Sequence, residues 1–135
     1  MHEDCLTSIS ILPQYIVTTS FDGKVFFLNK ETLEVEKNLF FDIEIYQCLY
    51  HQEYLYLAGN PSYKIDIKTF EITEIGTYNQ FIIHQDNIFG NSEENGITCL
   101  NDNISILFSC HYMLSVGNSI LLSTDQGIGM LIYDH

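Results

Sequence analysis

Apolar and polar residues alternate with a period of two along most of the chain. No segment carries an apolar stripe at helical spacing over three turns. β-Branched and aromatic residues fill the alternating runs, as in "YIVTTS" at 15–20 and "YLYLAG" at 54–59. Such runs are typical of β-strands. The pattern therefore predicts an all-β chain.

A polar turn followed by a short strand recurs four times. The copies read "SFDGKVFFLN", "GNPSYKID", "SEENGITCLN" and "TDQGIGMLIYD", and each turn contains Pro, Gly or both. Each strand ends in a large apolar residue followed by Asn or Asp. These pairs are separated by 37, 35 and 33 residues and lie at Leu28-Asn29, Ile65-Asp66, Leu100-Asn101 and Tyr133-Asp134. A period of this length indicates repeated structural units.

Further strands complete each unit. Two strands precede the turn: a first one ("SISIL", "IYQCLY", "QFIIH", "YMLSV") and a second one ("YIVTTS", "YLYLAG", "NIFGN", "SILLST"). A fourth strand follows in three units, as "LEVEKNL" at 33–39, "FEITEIG" at 70–76 and "ISILFS" at 104–109. Glutamates alternate along the first two of these, which suits an outer, half-solvated strand. We expect one domain, 1–135, with repeats at about 6–39, 44–76, 79–109 and 111–135.

Four antiparallel strands at a period in the middle thirties are typical of a β-propeller blade. The apolar-Asn/Asp ending, preceded in the first unit by an Asp-Gly turn, resembles the WD-repeat proteins, in which Trp-Asp occupies that place. The resemblance implies a non-enzymatic platform for protein–protein interaction. The chain departs from that family because it has no Trp, no Gly-His pair and no Asp-His-Ser/Thr-Trp network. It is therefore interpreted as a divergent propeller, and other propeller families stay open.

The repeats amount to about three and three-quarter blades, whereas the resemblance implies closed rings of about seven. The final unit lacks a fourth strand, and about six residues before the first strand are too few to replace it. We therefore expect an incomplete ring, a half-propeller, completed by another protein subunit or by a second copy of the chain. The third strand of the last unit would be an unpaired edge open to a partner strand, with candidate contact residues Met130, Ile132, Tyr133 and Asp134.

The charge is strongly acidic, with 18 Asp and Glu against 5 Lys and Arg and a formal net charge of −13. Such a surface disfavours direct binding of nucleic acid or an acidic membrane and favours a basic segment. The alternative function is therefore an acidic propeller whose rim binds basic peptide tails, a histone tail being one example. Ordinary turn chemistry also explains these acids. The candidate rim residues are Asp22, Glu93, Glu94 and Asp125.

No motif indicates catalysis, a metal or a cofactor. His51 and His84 occupy equivalent repeat positions and could line one face with His111, but recurrence of a polar turn explains them as well. Gly127 and Gly129 lack the third glycine of a nucleotide-binding loop. The prediction is a protein that is not an enzyme and needs no cofactor.

The remaining features concern location and packing. The four cysteines have no CxxC spacing, which indicates reduced thiols in an intracellular protein, cytoplasmic or nuclear. No targeting peptide or membrane-spanning run is visible. Alternation places Tyr46, Cys48 and Tyr50 on one face of a strand, where blade packing is favoured over a contact surface.

Overall fold

The computed structural model describes residues 5–92, 96–101, 104–106, 110, 112–124 and 127–132. All regular secondary structure among them is β-strand. The strands are β1 (Leu6–Ile11), β2 (Tyr15–Ser20), β3 (Lys24–Asn29), β4 (Val35–Phe40), β5 (Ile45–His51), β6 (Tyr54–Asp66), β7 (Ile72–Tyr78), β8 (Gln80–His84), β9 (Asn87–Ser92), β10 (Gly96–Cys99), β11 (Ile104–Ile106), β12 (Tyr112–Val116), β13 (Ser119–Thr124) and β14 (Gly127–Ile132).

The strands form four sheets of consecutive neighbours. We number the sheets in chain order: β1 to β4 form the first sheet, β5 to β7 the second, β8 to β11 the third and β12 to β14 the last. The pairings described between neighbouring strands are antiparallel. The prediction of an all-β chain built from successive antiparallel sheets is confirmed.

The first two strands of every sheet meet through a two-residue turn. His51 pairs with Tyr54, His84 with Asn87 and Val116 with Ser119. In the first sheet the amide of Leu12 donates to the carbonyl of Tyr15 at 2.8 Å. The second strands therefore begin at equivalent positions, Tyr15, Tyr54, Asn87 and Ser119, which provide a common reference for comparing the sheets.

The chain divides into two compact units, residues 1–77 and 78–135. In the first unit, one face of the first sheet packs on the second sheet. Val17, Val25 and Phe27 share a buried cluster with residues of the second sheet such as Cys48 and Leu57. This face carries the β-branched and aromatic side chains that the alternation places inside, and its burial stabilises the pair of sheets.

The second unit has the same arrangement. Phe89, Ile97 and Cys99 of the third sheet pack on the last sheet, where Met113 and Ile120 belong to the same buried cluster. Every described side chain of β9 and β10 is buried. In β12 of the last sheet, in contrast, exposed positions alternate with buried or half-buried ones.

Two details differ from the sequence-based expectation. The expected turn inside "GNPSYKID" lies within one continuous strand, β6, where the Ser62 hydroxyl bonds to both the amide and the carbonyl of Gly59. The second sheet thus has three assigned strands. The register of β5 also shifts between Ile45 and Gln47, so Tyr46 does not share a face with Cys48 and Tyr50, and the prediction of one shared face was wrong.

The apolar-Asn/Asp ending has a local structural role in the first unit. The Asn29 carboxamide oxygen accepts the amides of Glu31 and Thr32 at 2.8 and 3.0 Å. The Asp66 carboxylate accepts the amides of Lys68 and Thr69 at 2.8 and 3.3 Å. These Asx turns reverse the chain after β3 and after β6. Turn formation thus explains Asn29 and Asp66, whereas Asn101 of the third sheet accepts the amide of Ile88 at 2.8 Å.

Candidate interaction surfaces

On the side of the first sheet turned away from the second sheet, the two edge strands, β1 and β4, carry exposed apolar side chains. Strand register places Leu6, Ile9 and Ile11 of β1 on this side, opposite Ser8 and Ser10. Phe40 of β4 lies on the same side, because its neighbour Leu39 packs against the core. All four apolar side chains are more than half exposed. We call Leu6, Ile9, Ile11 and Phe40 the first-sheet face.

The last sheet has a similar surface on the side turned away from the third sheet. Met113, Ile120 and Leu122 face the core, so the residues between them face outward. Pairing across the sheet adds two residues of β14 to the outward side. We call Tyr112, Leu114, Val116, Ile128 and Met130 the last-sheet face; all five are exposed, Ile128 to 84%.

The expected unpaired edge coincides with β14. This strand pairs with β13, and no other described strand lies along its second side. Met130 is exposed there, and Ile132 ends the strand. Tyr133 and Asp134, the other two candidate contact residues, lie outside the described residues.

The acidic rim is only partly described. The carboxylate of Asp22 accepts the amide of Lys24 at 2.9 Å in the turn between β2 and β3, and the Asp22 amide bonds to the hydroxyl of Ser20. Asp22 therefore forms a turn as ordinary turn chemistry expects. Glu93, Glu94 and Asp125 lie outside the described residues. Binding of a basic peptide at the rim stays a prediction.

The histidines form no metal-binding group in the part of the chain that is described. His84 is buried, and its Nδ1 lies 2.7 Å from the Ser115 hydroxyl across the sheet pair. His51 is half-buried, and His111 is not described.

An open pocket of about 130 Å³ lies on the second sheet, where the Lys64 ammonium sits 4.5 Å from the ring centre of Tyr54. Tyr54, Lys64, Asp66, Glu71 and Thr73 line this pocket.

Two of the buried cysteines, Cys48 and Cys110, have a thiol with a raised pKa. Burial raises the pKa of Cys48 above its ordinary value of 9.0, and hydrogen bonds with Ser8, Ser10 and Thr19 lower it in part. Burial also raises the pKa of Cys110, against the lowering by the Tyr112 backbone. A raised pKa disfavours the thiolate, the reactive form of cysteine. These two cysteines serve as small apolar core residues.

Among the described residues, no helix has the length and apolar character needed to cross a bilayer.

Comparison with known proteins identifies the fold. No protein-family model matches the sequence, and no curated protein sequence matches it. Solved structures do match. The computationally designed Ika4 protein superimposes with a TM-score of 0.75 at 9% identity, over 99% of this chain and 94% of that one. The β-propeller domain of Cps50 (Swd1) from Myceliophteria thermophila gives 0.74 at 13% identity, over 98% and 52%. BamB from Moraxella catarrhalis gives 0.75 at 12% identity, over 96% and 47%.

The fold is β-propeller-like. Identities this low concern the fold alone, so the predicted fold class is confirmed without establishing WD-repeat membership. The chain spans about half the length of the Swd1 domain and of BamB, and nearly all of Ika4.

Sequence reasoning predicted an edge at β14 and missed the first-sheet face. The signal was present in "SISI", where serine and isoleucine alternate. Alternation separates two faces but does not say which one meets a neighbouring sheet. The serines turned out to face the core, and the isoleucines were left outside.

Proposed function

We propose that this chain is a non-enzymatic protein-interaction scaffold, a divergent propeller of the WD-repeat type that works as a subunit of a larger intracellular assembly. The observation that carries the proposal is the pair of exposed apolar surfaces, the first-sheet face and the last-sheet face. Contiguous exposed apolar patches on a protein mark sites of association. Nine apolar side chains on two sheet faces fit surfaces that a partner chain covers.

The unpaired edge of β14 supports the same function. The third strands of the first and third sheets, β3 and β10, each have a fourth strand alongside, whereas β14 has none among the described residues. The sequence "GIGMLI" contains no charge and no proline that would block pairing. A strand from a partner chain would complete the sheet by main-chain hydrogen bonds.

Site-specific crosslinking in cells tests the proposal. A photoreactive amino acid at Ile128, on the last-sheet face, is expected to crosslink the chain to protein. The matched control is Ile72, which is exposed on β7 of the second sheet and belongs to neither face. Crosslinked protein from position 128 and little from position 72 would support a scaffold. Equal yields at the two positions, or none at either, would contradict it.

A further inference from the structure

Neighbouring sheets within each unit meet through one recurring contact. In the first unit, the Ser8 hydroxyl donates to the carbonyl of Cys48 at 3.2 Å, and the Cys48 thiol approaches the Ser8 oxygen at 3.5 Å. Ser8 lies seven residues before the second strand of its own sheet, and Cys48 lies six residues before that of the next sheet. We number positions backwards from the first residue of the second strand of each sheet. A residue at position seven of one sheet thus contacts a residue at position six of the following sheet.

The second unit repeats this contact with different side chains. The Gln80 carboxamide donates to the carbonyl of Met113 at 2.9 Å and accepts its amide at 2.8 Å. Gln80 lies seven residues before β9, and Met113 lies six residues before β13. His84, three before β9, meets Ser115, four before β13. The geometry belongs to the repeat and not to one pair of side chains.

On the first-sheet face and the last-sheet face, the positions that make this contact are held by residues that no described sheet covers. Tyr112 is the position-seven residue of the last sheet, and Ile9 is the position-six residue of the first sheet. They are 59% and 61% exposed. Val116 and Ile11 hold the positions of His84 and Ser115, and both are exposed. The last-sheet face therefore corresponds to the face that contacts a following sheet within a unit. The first-sheet face corresponds to the face that a preceding sheet contacts.

We propose that the last-sheet face of one copy of this chain packs on the first-sheet face of a second copy, with Tyr112 over Ile9 and Val116 over Ile11. We call this contact the inter-copy seam. The inference rests on the proposed function and names the partner as the chain itself. Each copy carries both faces, so a dimer with a two-fold axis contains two equivalent seams.

Charge distribution favours the seam despite the net charge of −13. Depletion of charge is typical of interface centres. Strand register assigns no acidic residue to the outer side of β1 to β3 or of β12 to β14 among the described residues. On the first sheet these residues are Leu6, Ile9, Ile11, Ile16, Thr18, Ser20, Lys24, Phe26 and Leu28; on the last sheet they are Tyr112, Leu114, Val116, Ser119, Leu121, Ser123, Ile128 and Met130.

Solution mass of the purified full chain gives the first test. Sedimentation or light scattering is expected to give about twice the chain mass of 15.6 kDa. The acids elsewhere on the two copies repel each other, so raising salt from about 50 mM to about 500 mM should tighten the dimer. A basic peptide bound at the rim would respond in the opposite direction.

A charge pair across the seam tests which faces meet. Ile11→Lys and Val116→Glu each place a charge in both seams of a homodimer and should each weaken it at least about 100-fold. Mixing the two variants should restore association, because the mixed dimer has one unaltered seam and one Lys–Glu pair. Ile72→Glu is the control that should leave the dimer intact, and circular dichroism checks that each variant folds.

Two results would overturn the inference. One is a wild-type chain that stays monomeric at all concentrations. The other is a dimer that Ile11→Lys and Val116→Glu leave unchanged or that their mixture does not restore. Crosslinks from Ile128 to a different protein would refute the second copy as partner while leaving the scaffold proposal standing. Absence of any crosslink would remove both.

Discussion

The third and last sheets share one hairpin register and differ in what covers them. Ile97 pairs with Asn91, the fifth residue of β9, and Ile128 pairs with Ser123, the fifth residue of β13. The two isoleucines hold the same position, yet Ile97 is 1% exposed and Ile128 is 84% exposed. The repeat therefore places an apolar residue at this position whether or not a sheet covers it. An exposed apolar residue at a position that is buried in another sheet supports the proposed partner contact more directly than composition does.

Truncating these two isoleucines should give the largest difference in the free energy of unfolding. Ile97→Ala opens a cavity in the buried cluster and should lower the free energy of unfolding by about 2–5 kcal/mol. Ile128→Ala, measured at dilution where monomer dominates, should change it by less than about 0.5 kcal/mol. Urea unfolding of both variants checks the difference. Equal losses would mean that the last-sheet face is already buried in the monomer.

The hydrogen bonds between sheets allow a second comparison of a covered position with an exposed one. Gln80→Met keeps the side-chain volume but leaves the buried amide and carbonyl of Met113 without their partner, which should cost about 2–3 kcal/mol. Tyr112→Met alters the equivalent position of the last sheet. Tyr112 is 59% exposed and no described strand of its unit covers it, so this change should leave the monomer nearly unchanged. Thermal unfolding compares the two. A large loss for Tyr112→Met alone would contradict the equivalence of these positions.

Much of the fold could be predicted because the recurring turns set the register. Two-residue hairpins place Tyr15, Tyr54, Asn87 and Ser119 at equivalent points, so strand order follows from local sequence. The shift at Ile45 to Gln47 could not be predicted, because a β-bulge moves one residue to the other face without a clear signal in "IYQC".

The interaction surfaces were harder to predict than the strands. The edge at β14 was predicted by counting strands, and among the described residues no strand other than β13 pairs with β14. The side-chain contacts between sheets could not be predicted in this way, because Ser8 and Gln80 make equivalent contacts through different functional groups. Only the three-dimensional pairing reveals that Tyr112 and Ile9 hold matching positions.

The smallest expected effect is on the pH dependence of stability. It compares the buried thiol of Cys48 with the exposed thiol of Cys5. Cys48 lies between the first and second sheets with a raised pKa, whereas Cys5 is exposed. Because the folded state disfavours the Cys48 thiolate, this residue contributes stability below about pH 9, and the contribution is lost as pH rises toward the higher folded pKa. Burial also raises the pKa of Tyr56, which adds to the loss above pH 10.

The expected result is a free energy of unfolding that falls between pH 8 and pH 10 more steeply in the wild-type chain than in Cys48→Ala. Cys5→Ala serves as the matched control and should keep the wild-type slope. Urea unfolding at the two pH values measures both. If Cys48→Ala kept the full slope, the thiol would not be held under the first sheet. The contact between Ser8 and Cys48 would then no longer serve as the model for the inter-copy seam.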